Sequence, residues 1–323
     1  MSDTTRKVYV NESSLEAIAD AIREKTGGTN TYKPAQMGPA IEGISQDDGS
    51  LKTLIERDTT STAPFAWPDG LRIVGRYACA YMYKALPPLP EDVTVIGERA
   101  FYGCNGLDWT SLPEGLTTIG IYAFNGCSEL ALTSLPAGLT LIGESAFNGC
   151  SKLALTSLPE GLTTINTSTF DGCTSLALTS LPSSIRTINT NAFKGCSNLA
   201  LTSLPTGILQ INSYAFQNCT SLALTTLPDS VTQVNSYTFV NSGLTSMTIP
   251  ASVTRIYYYA FANCANLADV TFIGKPTTID SAAFKGCTNL QTIRVPWSQG
   301  QVSGAPWGAT NATIEYDYTG GNE

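Results

Sequence analysis

Residues 116–138 read LTTIGIYAFNGCSELALTSLPAG, and the same letters return at the same offsets from about residue 71 to about residue 296. Phenylalanine shows the register best, because nine of the 11 phenylalanines hold one place in the repeat, at intervals of 23 residues with one interval of 22. These nine are Phe101, Phe124, Phe147, Phe170, Phe193, Phe216, Phe239, Phe261 and Phe284. A cysteine follows three residues later in eight of the coils, at Cys104, Cys127, Cys150, Cys173, Cys196, Cys219, Cys264 and Cys287.

The repeat decides the fold class. A degenerate first coil has Cys79 and Met82 in the Phe and Cys places, and the shortened eighth coil has Ser242 in the Cys place, so the chain contains about ten coils. A fixed period of 20 to 29 residues with Leu, Phe and Cys at set places is typical of a leucine-rich repeat solenoid. We expect two strand-like pieces in each coil, such as Leu116 to Ile119 and Leu130 to Leu135. The AFNGC piece between them has room for a turn or two of helix.

Two columns of Gly and Asn predict tight turns with left-handed backbone, the conformation that these residues tolerate best. One column follows the isoleucine of the LTTI piece and the other precedes the cysteine. Two explanations for asparagine in the first column remain: its side chains bond to one another along the stack, or asparagine is there only because it suits the turn. The first column is Gly75, Gly97, Gly120, Gly143, Asn166, Asn189, Asn212, Asn235, Tyr257 and Asp280, and the second is Gly103, Gly126, Gly149, Gly172, Gly195, Asn218, Asn263 and Gly286.

The ends of the chain differ from the repeats. Residues 1–45 are predicted to be a helical adaptor, because residues 11–26 show capping-box spacing and an i, i+3, i+4, i+7 apolar face, and a short second helix follows from Pro34. This hairpin, residues 11–44, is expected to self-associate, to dock on another protein or to cap the solenoid. We assign residues 46–70 to a linker and N-terminal cap, 71–296 to the solenoid and 297–323 to a C-terminal cap.

The composition and the N-terminal residues limit which partners and which cellular locations we expect. Charged residues make up 14% of the chain and the net charge is −8, so the basic stripe that nucleic-acid phosphates require is missing. No apolar run reaches the 18 residues of a membrane span, and the first residues, MSDTTRKVYVNESS, lack the apolar centre of a secretory signal. We therefore expect neither nucleic-acid binding nor membrane insertion. Cytoplasmic synthesis with a location on a virion, or on a cell surface reached without a signal peptide, fits these features.

The nine cysteines form an odd, periodic set, which is poor support for a disulfide framework. Cysteine behaves as a small apolar side chain that is often buried, and Met82 and Ser242 take the same place in two coils. Reduced core thiols are the prediction, with disulfides and metal binding as the alternatives. We expect no cofactor.

These residues resemble the BspA-like leucine-rich repeat family, whose repeat looks like LxxIxxxAFxxCxxLxxIxLP. The resemblance covers roughly residues 65–296 and implies a curved, right-handed solenoid of the β-rich α/β horseshoe type with a non-enzymatic recognition function. The middle coils read LALTSLP instead, whereas residues 267–272 and 290–295 keep the LxxIxL form, which leaves the local strand register open. Both ends resemble leucine-rich proteins of gut Gram-positive bacteria and their prophages.

The predicted function is a recognition scaffold that binds a protein or glycan on a cell surface, in adhesion or host interaction. A receptor-binding or structural role in a phage tail is the first alternative. An enzyme is the second, and the absence of histidine restricts it to paired carboxylates acting on glycans, for which Asp69, Glu91 and Glu114 follow the turn proline in three successive coils. Threonines that recur in columns make ice or mineral binding a third alternative function.

The candidate partner-binding residues are tyrosines. The column before the Ala-Phe pair turns polar in the middle of the chain, so packing does not demand an aromatic side chain there. Coils seven to nine nevertheless carry tyrosine in it, and the ninth adds two more. Exposed tyrosines are enriched in contact surfaces, although rings that merely stack on each other would explain the same pattern. The candidate residues are Tyr214, Tyr237, Tyr257, Tyr258 and Tyr259.

Overall fold

The computed structural model describes residues 66–67, 69–82 and 85–319, and within them the chain winds into about ten stacked coils. We number the coils by the repeat position of phenylalanine, from Cys79 in coil one and Phe101 in coil two to Phe284 in coil ten. No described segment is helical, and the pieces between strands are turns. The predicted leucine-rich solenoid is confirmed. The predicted helical hairpin and nearly all of residues 46–70 lie outside the described residues.

The LTTI pieces form the first face of the solenoid. Each contributes a two-residue strand whose second residue is an Ile or Val that is buried, and neighbouring strands pair in parallel so that these residues stand in line, as in Ile96, Ile119 and Ile142. The strands are β1 (Ile73–Val74), β2 (Val95–Ile96), β3 (Thr118–Ile119), β4 (Leu141–Ile142), β5 (Thr164–Ile165), β6 (Thr187–Ile188), β7 (Gln210–Ile211), β8 (Gln233–Val234), β10 (Arg255–Ile256) and β12 (Thr278–Ile279). The pairing is interrupted between β4 and β5 and between β7 and β8.

The second face has regular strands only near the C-terminal end, so the prediction of a second strand in every coil is wrong for the middle coils. The strands are β9 (Ser246–Ile249), β11 (Asp269–Phe272), β13 (Thr292–Arg294) and β14 (Thr313–Glu315), paired in the order β9, β11, β13, β14. In β9 the buried Met247 and Ile249 alternate with more exposed residues, as a pleated strand requires. A middle coil instead buries Leu153, Leu155 and Leu158. The last spacing breaks the period of two.

A continuous stack of phenylalanine rings runs through the core. All nine rings are fully buried. Neighbouring ring centroids are 5.2 to 5.7 Å apart, and the ring planes are tilted by only 2° to 9° to one another. Each coil therefore covers its neighbour's core, and inner rings have an aromatic partner on both sides.

The cysteines line the core beside the phenylalanines. All nine are buried, which confirms their predicted place in the core, and none is in a disulfide. From coil three on, the thiol donates a hydrogen bond to the carbonyl of the Phe in the preceding coil, as from Cys127 to Phe101 over 3.0 Å between Sγ and O. Burial raises the pKa of the Cys150 and Cys219 thiols far above the ordinary value, which favours the protonated form that can donate this bond.

The first Gly and Asn column was assigned to left-handed turns, and this prediction is wrong. Its residues do not have positive φ. Glycine is needed there in coils two to four because the preceding coil comes too close: a Cβ on Gly120 would lie 2.6 Å from the carbonyl carbon of Gly97. The second column, before each cysteine, is left-handed as predicted, with φ of +77° at Gly126 and +60° at Asn218.

Tryptophans cover the core at both ends of the described coils. Trp67 lies edge-on to Phe101 at 6.3 Å between centroids, and its indole N–H donates to the carbonyl of Pro87. At the other end Trp297 and Trp307 are buried, and Trp297 lies edge-on to Phe272 at 5.2 Å. These rings keep the apolar ends of the stack from water.

Candidate functional site: a row of tyrosines

The column before the Ala-Phe or Thr-Phe pair has a special backbone. In coils one to nine the residue there is left-handed, with φ between +51° and +63°. In coils one to eight its N–H donates to a carbonyl of the next coil, as from Tyr122 to Glu144 over 2.9 Å, while the residue after it donates to a carbonyl within its own turn. The residues are Tyr77, Arg99, Tyr122, Ser145, Ser168, Asn191, Tyr214, Tyr237 and Tyr259. Apart from asparagine, nothing in these residue types signals a left-handed backbone.

Three candidate tyrosines of this column stack on one another at the coil spacing. The Tyr214 and Tyr237 rings lie 4.7 Å apart between centroids and 9° from parallel, and Tyr237 and Tyr259 lie 5.4 Å apart and 22° from parallel. Lys285 covers the far end of this stack. Its Nζ lies 5.6 Å from the centroid of the Tyr259 ring and 3.4 Å from the Tyr259 hydroxyl oxygen, within the range of a cation–π contact.

Tyr258 joins the stack from the side and is its most exposed member, with 44% of its surface accessible. Its ring lies edge-on to Tyr259 at 3.9 Å and to Tyr237 at 6.1 Å between centroids. A hydrogen bond to Tyr259 raises the pKa of Tyr258 to about 12. The same bond, followed by one from Lys285, lowers the pKa of Tyr259.

Tyr257 lies apart from the other four candidates. Its N–H donates to the carbonyl of Val234 on the first face, and its ring contacts Arg255, whose guanidinium carbon lies 5.8 Å from the ring centroid. We therefore define the tyrosine row as Tyr214, Tyr237, Tyr258 and Tyr259, with Lys285 at its end. The lysine was missed in the sequence because it belongs to another column, one residue after Phe284.

With this geometry established, comparison with known proteins places the chain. The model of the BspA type leucine rich repeat region, with six copies, matches residues 72–200 and 197–304. The chain belongs to the BspA-type leucine-rich repeat family. Comparison with curated proteins gives no match.

Solved structures of bacterial leucine-rich repeat proteins are similar to this BspA-type chain. One from Bacteroides ovatus has a TM-score of 0.53 and 24% identity over 72% of this chain and 68% of its own. A leucine-rich cell surface protein from Faecalibacterium prausnitzii has a TM-score of 0.47 and 24% identity, covering 81% and 86% of the two chains. The leucine-rich repeat protein of T. pallidum has a TM-score of 0.42 and 30% identity, covering 60% and 82%. The first of these supports the fold.

A second aromatic cluster lies at the N-terminal end of the same column. The Arg99 guanidinium carbon lies 5.5 Å from the Tyr77 ring centroid and 4.6 Å from that of Tyr122, so the cation is held between two rings. Arg99 also pairs with Glu98, which forms a salt bridge to Arg76. The two rings of this cluster are thus occupied by the protein's own arginine, whereas the tyrosine row presents an exposed ring.

The carboxylates considered for catalysis and the threonines considered for ice or mineral binding lie in ordinary positions of the BspA-type coils. Asp69, Glu91 and Glu114 are exposed at the coil edge, and the described residues contain no cluster of three or more His, Cys, Asp or Glu side chains that could hold a metal ion. Hydroxyls of the threonine column donate to carbonyls of the preceding coil, as from Thr117 to Thr94 over 3.1 Å. That bond ties these hydroxyls to the backbone.

Among the described residues there is no helix with the length and apolar character needed to cross a bilayer.

Proposed function

We propose that this BspA-type chain is a non-enzymatic recognition scaffold whose tyrosine row binds a protein or glycan on a cell surface, in adhesion or host interaction. The observation that carries the proposal is the stack of Tyr214, Tyr237 and Tyr259 with Tyr258 exposed at its side and Lys285 at its end. Tyrosine combines a rigid apolar face with a polar tip and loses little entropy when it is ordered in an interface.

The core does not need these rings. The phenylalanine stack and the cysteines fill the interior without them, and the same backbone position accepts Ser145, Ser168 and Asn191 with φ of +51° to +57°. A row of preordered side chains that the fold does not require is available as a contact surface. Because the rings already stack, binding would cost less side-chain entropy than it would at isolated tyrosines.

The test replaces Tyr214 and Tyr237 together by asparagine, the residue that coil six uses at this place with the same left-handed backbone. We expect attachment to cultured epithelial cells and to a glycan array to fall at least tenfold, with the melting temperature nearly unchanged. Tyr122→Asn is the matched control, because it makes the same change at the other end of the column and should leave attachment intact.

Unchanged attachment together with a large drop in melting temperature would show that the row is structural. Attachment to bacterial cells in place of epithelial cells would favour the receptor-binding role in a phage tail.

A further inference from the structure

Seven of the nine junctions between coils are closed by the same backbone hydrogen bond on the first face. The N–H of the residue after the buried Ile or Val donates to the carbonyl of the corresponding Ile or Val in the preceding coil, with N to O distances of 2.7 to 3.0 Å. The donors are Gly97, Gly120, Gly143, Asn189, Asn212, Tyr257 and Asp280.

The two remaining junctions coincide with the interruptions of the first sheet, between β4 and β5 and between β7 and β8. At both junctions an asparagine side chain, in place of the backbone N–H, donates a hydrogen bond to the carbonyl of the preceding coil. The Nδ2 of Asn166 donates to Ile142 and that of Asn235 donates to Ile211, each over 2.7 Å. The carbonyl remains satisfied while the strands on either side no longer pair.

Asparagine alone does not cause the interruption. Coils six and seven also have asparagine at this place, and Asn189 and Asn212 donate their backbone N–H groups over 2.9 Å as the glycines do. Their side chains bond to each other instead, from Asn212 Nδ2 to Asn189 Oδ1 over 3.0 Å.

The residue before the phenylalanine distinguishes the two kinds of junction. It is alanine at all seven closed junctions and threonine, Thr169 or Thr238, at the two interrupted ones. Both threonines are buried, with 1% and 0% of their surface accessible. The hydroxyl of Thr169 donates to the carbonyl of Asn166 over 2.9 Å, and that of Thr238 to the carbonyl of Asn235 over 2.8 Å.

We infer that this buried threonine switches a junction from backbone pairing to side-chain pairing and so divides the first sheet into blocks of four, three and three coils. Threonine adds two heavy atoms where the core is shaped for an alanine methyl group, and a close-packed interior has no space for them without movement. Its hydroxyl also holds the asparagine carbonyl. The turn therefore shifts away from the preceding coil, and the asparagine side chain spans the gap so that the buried carbonyl keeps a donor.

The phenylalanine stack is continuous across both interrupted junctions. Across the two interrupted junctions the phenylalanine rings are 5.7 and 5.5 Å apart, within the 5.2 to 5.7 Å range of the whole stack. The core is thus continuous where the sheet is not.

The second interruption crosses the tyrosine row, because Tyr214 belongs to coil seven and Tyr237 to coil eight. The distance of 4.7 Å between these rings is shorter than any spacing of the phenylalanines. The switch itself does not depend on the proposed function of the row.

The test measures backbone amide exchange in the full chain carrying Thr238→Ala. We expect the strand to pair again, so that exchange at the amide of Asn235 slows by about fivefold or more, the factor that one net hydrogen bond supplies. Thr169→Ala is the matched control, because it should slow exchange at Asn166 and leave Asn235 unchanged. Unchanged exchange at Asn235 in the folded Thr238→Ala protein would overturn the inference.

The reverse substitution gives an independent arm. Ala215→Thr places threonine three residues after Asn212, the spacing found at the two interruptions. We expect exchange at the Asn212 amide to accelerate by about fivefold or more, and unchanged exchange in a folded variant would overturn the inference. Should Ala215→Thr fail to fold, the two threonine-to-alanine variants decide alone. Neither arm depends on whether the tyrosine row binds a partner.

Discussion

Replacing Phe170 by alanine tests how the coils support one another. The ring is fully buried and stacks on both neighbours, at 5.7 Å from Phe147 and 5.6 Å from Phe193 between centroids. Loss of a buried phenylalanine typically costs about 3 to 5 kcal/mol, and Phe170 should fall in the upper part of that range because two stacked pairs disappear. Phe284 is also buried but stacks on Phe261 alone among the described phenylalanines, at 5.3 Å. One aromatic pair is worth about 0.5 to 1.5 kcal/mol.

The free energy of unfolding of Phe284→Ala should therefore fall less than that of Phe170→Ala by about 1 kcal/mol or more, since fraying the last coil also loses less than opening a central one. Urea denaturation followed by circular dichroism measures both values. Phe170→Leu, which keeps most of the volume but loses both stacked pairs, should cost less than Phe170→Ala. Equal losses at Phe170 and Phe284 would refute the reasoning from neighbour support.

Four further outcomes follow, one of them, the site of proteolysis, from the sequence alone and three from the structure. All nine thiols should react with a thiol reagent in denaturant without reductant and few in the native protein; fewer than nine in denaturant would mean disulfides or bound metal. Burial raises the pKa of most thiols in the folded protein, so the thiols of the unfolded chain ionise at lower pH. The free energy of unfolding should therefore fall as pH rises above about 8.5. A series of denaturation curves with no such fall would contradict this. Limited proteolysis should cut within residues 46–50 and leave a fragment with the coils intact; cleavage inside the coils would argue against it. Tyr258→Phe should raise the pKa of Tyr259, whose largest lowering cause is the Tyr258 hydroxyl, as an ultraviolet difference titration can show.

The core could be predicted from the sequence because one side chain recurs at one interval. Stacking identical coils brings each phenylalanine onto the next, and the parallel rings of the described chain follow from that repetition. The second face could not be predicted as well. A leucine pattern such as that of residues 153–158 places buried side chains two and then three residues apart, so the chain cannot hold the alternation of a strand.

The grouping of the candidate tyrosines could be predicted in part from the sequence. Four of the five tyrosines lie together, because three occupy one column of successive coils and Tyr258 precedes Tyr259. Tyr257 belongs to the column that bonds back to the preceding coil, which separates it from the others. The left-handed backbone of the tyrosine column was not predicted, since tyrosine and arginine rarely adopt it. In coils one to eight the N–H at this place donates to the next coil, a contact between coils that no single repeat reveals.

Hydroxyl-radical footprinting tests the proposed contact surface most directly. The full chain is oxidised alone and while attached to epithelial cells, and the loss of reactivity is measured by mass spectrometry at Tyr258, exposed to 44%, and at Leu209, exposed to 60% near the first face. We predict that Tyr258 and Tyr259 become protected on attachment and that Leu209 keeps its reactivity. Protection of Leu209 with unchanged reactivity at Tyr258, or the absence of any attachment, would contradict recognition through the tyrosine row.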